Sequence, residues 1–372
     1  MSGTILIGAD VAPTGGSETL FAKGEAGALL TDGLLELWQS ADARIFNLEC
    51  PLSDRQTPIE KCGPAMRAPL ACIEGIAALQ PSAVALANNH ILDQGGAGLH
   101  DTLTALQGKA IPAFGAGATA AQADAACYLE IGGVRTAVYA LCEHEYSVAE
   151  GENPGANGLD ELTLADRMRA LRRECDCLIV LYHGGREYYP YPSPKLQRRC
   201  RLMVSCGAGA VLCQHSHCIG SGEVFEGAPI VYGTGNFLFD LDGEPAAFDM
   251  GLLVQLTVDK DGVSAAYVPI ARKAHGAALL HGAQAQRVLT DWNRRSEQLT
   301  DPAFVAAQYQ KYAGETREKM IKVFLSGNPL LKAVNVLYGR RPSRVYPRQT
   351  QLAIRNSLAC ESLLELLTEG LK

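Results

Sequence analysis

Along the first two-thirds of the chain, short apolar runs alternate with stretches of helical spacing. Apolar runs at 5–8, 43–48 and 83–87 predict strands, and 28–38, 69–79 and 99–106 predict helices between and after them. The second of these helices opens on Pro69, a residue suited to a first helical turn. Runs at 127–131 and 135–141 flank Gly132-Gly133, which predicts a hairpin. Residues 162–173 read as a helix, 177–182 (CLIVLY) as a buried strand, 196–204 as a helix and 210–213 as a strand. From Gly222 the pattern turns to strand, at 222–239, 251–258 and 263–270. The last two flank Asp261-Gly262, a strong hairpin-turn dipeptide. Later segments, 283–299, 302–324, 329–338 and 349–371, read as helices. Alternating strand and helix followed by paired strands predicts an α/β fold, with mixed β-sheets packed together and flanked by helices. The expected organisation is a domain over 1–275 and a helical C-terminal extension over 276–372.

Composition narrows the classes. At about 150 residues per domain, 372 residues suit two domains or one large domain with an appendage. Hydrophobic residues at 47% and charged residues at 20% exclude a largely disordered chain. A formal net charge of −7 argues against nucleic acid as a partner. No window approaches the roughly 18 consecutive apolar residues of a transmembrane segment. The first dozen residues carry no Lys or Arg, so no signal peptide is expected and the expected location is cytoplasmic. The twelve cysteines include no CxxC pair and read as buried free thiols. One charge feature stands out between 317 and 355. Arg317, Lys319, Lys322, Lys332, Arg340, Arg341, Arg344, Arg348 and Arg355 are opposed by Glu318 alone. This basic tail is either a solvated helix face or a surface for an acidic or membrane-surface partner.

Candidate chemistry collects at strand ends, where open α/β sheets place their sites. Asp10 follows the first apolar run and Glu49 the second. Asn88-Asn89-His90 follows the third, with Asp93 three residues beyond His90. An Asn oxygen is a hard ligand for a divalent ion, and Asp93 would orient the imidazole. His183 leaves the CLIVLY strand into Gly184-Gly185, and His215-Ser216-His217 leaves the strand at 210–213. Two histidines at i and i+2 diverge in a strand but can converge in a turn. Oxygen and imidazole ligands without thiolate suit Mn, Fe or Zn. Six candidate ligands exceed one tetrahedral site, so two divalent metal ions are expected. Glu143-His144-Glu145, Arg67 and the tyrosines 188, 189 and 191 are further residues that would face a substrate, or else pack and solvate the surface.

The runs GAD (8–10), NLECPL (47–52), RAP (67–69), ALANNHILDQGGAGLHDTL (85–103), HGGREY (183–188), QHSHC (214–218) and GNF (235–237) resemble the CapA family. These are the poly-γ-glutamate capsule biosynthesis proteins of the calcineurin-like metallophosphoesterase superfamily. The resemblance implies a four-layer sandwich with metals at the strand ends. It implies that Asp10, Glu49 and His217 hold one ion, and that Asn89, His183 and His215 hold the other. Glu49 occupies the place of a bridging acid. His90 corresponds to a histidine that protonates the leaving group, with Asp93 as its partner. Arg186, Glu187 and Asn236 would line the site, and Arg67 would meet an anionic small-molecule or polymer substrate. Two departures stand out: Ala12 sits where the superfamily has a histidine ligand, and Glu49 where it has Asp. The implied function is a metal-dependent hydrolase in capsule biosynthesis, or a non-catalytic metal-containing accessory protein for capsule assembly.

Overall fold

The structure, a computed structural model, describes residues 2–322, 329–346 and 348–359. Positions 323–324 and 360–371 of the expected helices lie outside the described residues, as do Cys360 and the side chain of Arg344. The chain forms two compact units, Met1–Val305 and Ala306–Lys372. The boundary expected at 275 falls inside the first.

The strands of the first unit begin with β1 (Gly3–Ala12), β2 (Leu30–Thr31), β3 (Ala43–Leu48), β4 (Ala83–Ala85), β5 (Ala113–Phe114) and β6 (Ala116–Gly117). Next come β7 (Cys127–Ile131), β8 (Val134–Cys142), β9 (Gly155–Ala156), β10 (Cys177–His183), β11 (Ala210–Gln214) and β12 (Gly222–Phe225). The last are β13 (Ala228–Val231), β14 (Asn236–Phe239), β15 (Met250–Asp259), β16 (Gly262–Lys273) and β17 (Gly276–Leu279). One sheet runs β2-β17-β16-β15-β1-β3-β4-β5, with β14 also paired to β1. A second runs β12-β13-β11-β10-β8-β7. Both are mixed: β1 is parallel to β3 and antiparallel to β15, and β8 is parallel to β10 and antiparallel to β7.

Alternation along β10 shows how the layers stack. Cys177, Ile179 and Leu181 join a core shared with the first sheet. Leu178, Val180 and Tyr182 turn the other way, onto Met168 and Leu171 of helix Leu164–Glu174 and Leu196, Cys200 and Met203 of helix Pro194–Ser205. A period of two can bury both faces of one strand only when each face has a cover. The expected α/β class, with packed mixed sheets flanked by helices, is the observed architecture.

The hairpins at 127–142 and 250–273 form as expected, the second with its turn tied by the Asp259 carboxylate, which accepts from Asp261 N (2.8 Å) and Gly262 N (3.1 Å). The helix expected over 28–38 does not form as one piece. It breaks into Ala26–Leu29, strand β2 and Leu34–Ser40 because Asp32 and Gly33 take φ of 54° and 81°. Glycine adopts that left-handed turn without a Cβ penalty, and the two extended residues before it pair in parallel with β17. Cysteines are free among the described residues, all buried except the exposed Cys62 and the half-buried Cys127. No described helix is long and apolar enough to cross a membrane. In the second unit, Glu318 is taken by Ser343, whose backbone N–H donates to Oε2 at 3.0 Å, and Arg317 donates to Gln351 Oε1 at 3.0 Å.

Candidate metal centre

The carboxyl ends of β1, β3, β4, β10 and β11 deliver polar side chains to one buried place. Asp10 lies within β1 rather than after it, at a register shift against β3 and β14. Its Oδ1 accepts from Asn47 Nδ2 at 2.8 Å and its Oδ2 from the His215 N–H at 3.0 Å. His183 closes β10, and its Nε2 lies 2.9 Å from Asn89 Oδ1, 3.2 Å from His215 Nδ1 and 3.3 Å from Glu49 Oε1. His217 Nε2 lies 3.7 Å from the same Glu49 oxygen. The turn after β11 achieves this by placing His215 and His217 at φ of 76° and 48°. Non-glycine residues there are strained, and such strain collects at functional sites. Two histidines that would diverge in a strand therefore share one centre.

The donor set fits divalent cations. Glu49 is fully buried, yet neither carboxylate oxygen accepts a hydrogen bond. A buried carboxylate left this way is costly, and ligation removes the cost. Its oxygen belongs to two triads whose ligand atoms all lie within 4.8 Å of one another: Glu49, His183 and His215, and Asp10, Glu49 and His217. Asn89 adds an oxygen beside the first. Neighbours fix these donor side chains. His217 Nδ1 lies 2.9 Å from Asn236 Oδ1, whose Nδ2 donates to the Phe248 carbonyl. That bond puts the proton on Nδ1 and leaves the Nε2 lone pair facing Glu49. Gly235, at φ 70° with the Met250 carbonyl oxygen 2.4 Å from any Cβ it might carry, lets the chain turn Asn236 in beside β1.

The electrostatics reflect two acids and three imidazoles sharing a buried site. Burial and the Glu49 charge raise Asp10 to about 6. For Glu49, burial acts upward but the charges of His217 and His183 prevail and lower it. Burial acts downward on His183 and His217, and the acid charges outweigh it and raise both. Burial and the neighbouring His183 charge push His215 well below its ordinary value. Cations are drawn to such a centre, protons or metal ions alike.

His90 stands beside the ligands. Its Nδ1 is 2.6 Å from Asp93 Oδ2, and its backbone N–H donates to Asn88 Oδ1 at 3.1 Å. Of the other expected residues, Arg67 donates to the Ser53 carbonyl at 3.1 Å and is not among the groups meeting at the cluster. Arg186 is exposed and Glu187 half-buried on the turn after β10. Tyr188 approaches His217, with ring centroids 6.3 Å apart. Tyr189 and Tyr191 pack against each other, and Tyr191 against Phe304.

The sequence profile described as "Bacterial capsule synthesis protein PGA_cap" matches residues 4–241, well over half of the chain. The chain belongs to this family. A capsule biosynthesis protein CapA of Bacillus anthracis is 30% identical over 161 residues, 42% of this chain and 39% of that protein. A PGA biosynthesis protein CapA of Bacillus subtilis is 29% identical over 179 residues, 47% of each chain. The PGA_cap chain thus spans less than half the length of these relatives. A solved structure of a novel phosphatase from Mycoplasma pneumoniae aligns at a TM-score of 0.47 and 14% identity, covering 73% of this chain and 94% of that one.

Asn47 and Lys61 of the PGA_cap chain's centre carry no assignment of their own in the sequence, and Asn88 and Glu145 enter there only as members of runs. Asn47 bridges Asp10 and His183, with Nδ2 2.8 Å from Asp10 Oδ1 and 3.3 Å from His183 Nδ1. Asn88 donates to Asn47 Oδ1 at 3.0 Å and to the Leu48 carbonyl at 2.8 Å. Both asparagines lie inside the quoted motifs, so the signal was present. Glu145 accepts from Asn89 Nδ2 at 3.1 Å, which selects it from Glu143-His144-Glu145. Lys61, 2.6 Å from Asp93 Oδ1, comes from a loop with no periodicity to mark it.

Proposed function

We propose that this PGA_cap protein is a metal-dependent hydrolase of the phosphoesterase type, acting on an anionic small molecule or polymer intermediate of capsule synthesis. The observation that carries the reading is the Glu49 carboxylate, buried without a hydrogen bond where two ligand triads meet. One ion would be held by Asp10, Glu49 and His217, the other by Glu49, Asn89, His183 and His215, with Mn, Fe or Zn preferred by the imidazole-rich set. When bound, such ions supply Lewis-acid polarisation of the electrophile and a nucleophile at neutral pH.

The chain's own groups do the rest. Asp10 and Glu49 neutralise cationic charge in the floor of the site. Asn47, Asn236 and Glu145 hold the ligands in place. His90, tied to Asp93 through Nδ1, has Nε2 free to give a proton to the departing oxygen. Water forms the new bond to phosphorus and releases a proton to solvent, the bond to the leaving oxygen breaks as that oxygen takes the His90 proton, and His90 regains a proton from solvent. A centre used only for binding has no need of a proton donor held beside its ligands, which favours the hydrolase over the accessory protein.

The test is turnover of a nitrophenyl phosphodiester and of an alkyl phosphodiester by purified protein, after chelation and after return of Mn. Metal-dependent turnover is expected, with His90→Gln keeping its metal and losing about 10²–10⁴-fold on the alkyl ester. No turnover of either ester with metal bound would leave the accessory role standing.

A further inference from the structure

Segment 54–65 runs exposed at every position except Ile59 and Lys61. The Lys61 side chain is only 3% exposed, and Asp93 opposite it is fully buried. The ammonium lies 2.6 Å from Asp93 Oδ1, and 3.4 Å from both the Asn89 carbonyl and His90 Nδ1. The Tyr146 ring stands 5.6 Å away. Burying an ammonium costs free energy that a structural plug need not incur. The segment is also anchored without it. Thr57 N–H donates to Gln94 Oε1 at 2.9 Å, Ile59 N–H to the Asp93 carbonyl at 3.1 Å, and Met66 N–H to Asp93 Oδ2 at 2.6 Å. A charge is therefore spent where the loop already has its fastenings, and it is spent on the carboxylate that touches His90.

The two oxygens of Asp93 are divided. Oδ1 takes Lys61, while Oδ2 takes His90 Nδ1 and the Met66 N–H. With Oδ1 engaged, the carboxylate plane is fixed and Oδ2 accepts along one direction. We propose that Lys61 is a positioning residue: it clamps Asp93 so that the His90 ring is held with its Nδ1–H on Oδ2 and Nε2 turned outward, where it takes up a proton from solvent and passes it to the leaving oxygen. This rests on the proton-donor role given to His90 above. Lys61 itself touches neither substrate nor ligand side chains. Its shortest contact is with Asp93, and it also approaches His90 Nδ1 directly, so it belongs to the step in which the leaving oxygen needs a proton.

The experiment compares wild type, Lys61→Met and Lys61→Arg in two readouts. The first is ¹⁵N NMR of the His90 ring, assigned by its loss in His90→Gln. Wild type should show one tautomer with a protected Nδ1 proton, Lys61→Met an averaged pair of tautomers, and Lys61→Arg the wild-type pattern. The second is turnover of the alkyl and nitrophenyl diesters. Lys61→Met should fall at least about tenfold on the alkyl ester, little on the nitrophenyl ester, with metal content kept and Lys61→Arg recovering most of the loss. A wild-type neutral ring with its one proton on Nε2 and none on Nδ1, or a ring signal unchanged in Lys61→Met, overturns the proposal. So does an equal loss on both esters accompanied by loss of metal, which would make Lys61 structural. If wild type turns over neither ester, the hydrolase reading fails. The ring signal still decides whether Lys61 positions His90. Should Lys61→Met not fold, the wild-type ring tautomer and the turnover of Lys61→Arg decide it.

Discussion

Asn89 donates Nδ2 to Glu145 Oε2 across 3.1 Å, and that bond fixes Oδ1 against His183 Nε2, 2.9 Å away. The two ends of an amide are nearly the same shape, so only a partner can say which atom faces the cluster. Glu145 accepts and cannot donate when ionised, so it selects the NH₂ end and leaves the oxygen for a cation. The oxygen that Asn89 turns to the cluster thus depends on a carboxylate that does not share its strand or turn.

Removing that carboxylate should weaken metal binding without unfolding the protein. Glu145→Ala is expected to lower affinity for the more weakly held ion by about 10–100-fold, the usual cost of losing a residue that orients a ligand. Glu145→Gln, which can still offer an oxygen, should lose less. Competition against a coloured chelator measures both. Equal affinities in all three proteins would remove Glu145 from the centre.

Glu49 and His215 should fail differently. Glu49 belongs to both triads and His215 to one. Glu49→Gln keeps the volume but removes the charge between the two positions, so both ions should be lost. His215→Ala should lose one and keep the other. Elemental analysis of folded protein reads the result directly. One ion retained in Glu49→Gln would show that Glu49 does not bridge.

How much of this was legible in the chain follows from what each residue's environment depends on. The continuous apolar run CLIVLY declared β10 as a strand buried on both faces, and His183 at its end needed only the rule that sites gather at strand ends. Asp10 was placed after its strand, but β1 continues through Ala12, because a register shift lets β1 pair with β14 from far along the chain. No local pattern announces such a partner. The break at Asp32-Gly33 was missed for a similar reason. Leu30–Thr31 becomes a strand by pairing with β17, whose residues lie some 250 positions away. Lys61 was invisible because burial of a lysine in an irregular loop has no periodic signature at all. His90 with Asp93 was legible because one turn holds both.

Asp240 offers a test of stability away from the metal centre. Its carboxylate receives Arg272, His275 Nδ1 at 2.6 Å and the Gly16 N–H at 3.0 Å. Burial acts upward on it, but the His275 and Arg272 hydrogen bonds prevail and hold it below the ordinary range. A carboxyl lowered in the folded state stabilises above its unfolded pKa, and the gain is lost as pH falls through the folded value. Asp240→Asn should therefore cost about 1–2 kcal/mol at neutral pH, since it weakens charged hydrogen bonds to a partly exposed Arg272 that keeps Asp249 at 2.7 Å. The gap to wild type should narrow below about pH 4. Urea denaturation across that range measures it, and a gap that widens on acidification would reverse the sign assigned here.

The last prediction concerns where the chain can be cut. Helix Gly282–Gln298 lies beyond the expected boundary at 275, yet it braces the turn that carries the histidines. Trp292 is 3% exposed, with its ring centroid 4.8 Å from that of Tyr267 on β16. Arg295 donates to the Gly220 and Ile219 carbonyls at 2.7 and 3.2 Å, and Ser296 Oγ accepts from the Gly222 N–H at 2.9 Å. Ile219 stands two residues after His217, so these bonds fasten the exit of a turn whose backbone is strained. A chain ending at Val305 should fold and bind metal as the full chain does. A chain ending at residue 275 loses β17, Trp292 and the Arg295 bonds together, and should be unstable and poor in metal. Two point variants separate the causes within the intact chain. Trp292→Ala should cost about 3–5 kcal/mol of stability through the cavity it leaves. Arg295→Ala leaves the core filled and should act mainly on metal affinity, by loosening His217. Thermal unfolding and metal titration of the four proteins distinguish these outcomes, and a stable, metal-loaded 1–275 chain would show that the helix only decorates the domain.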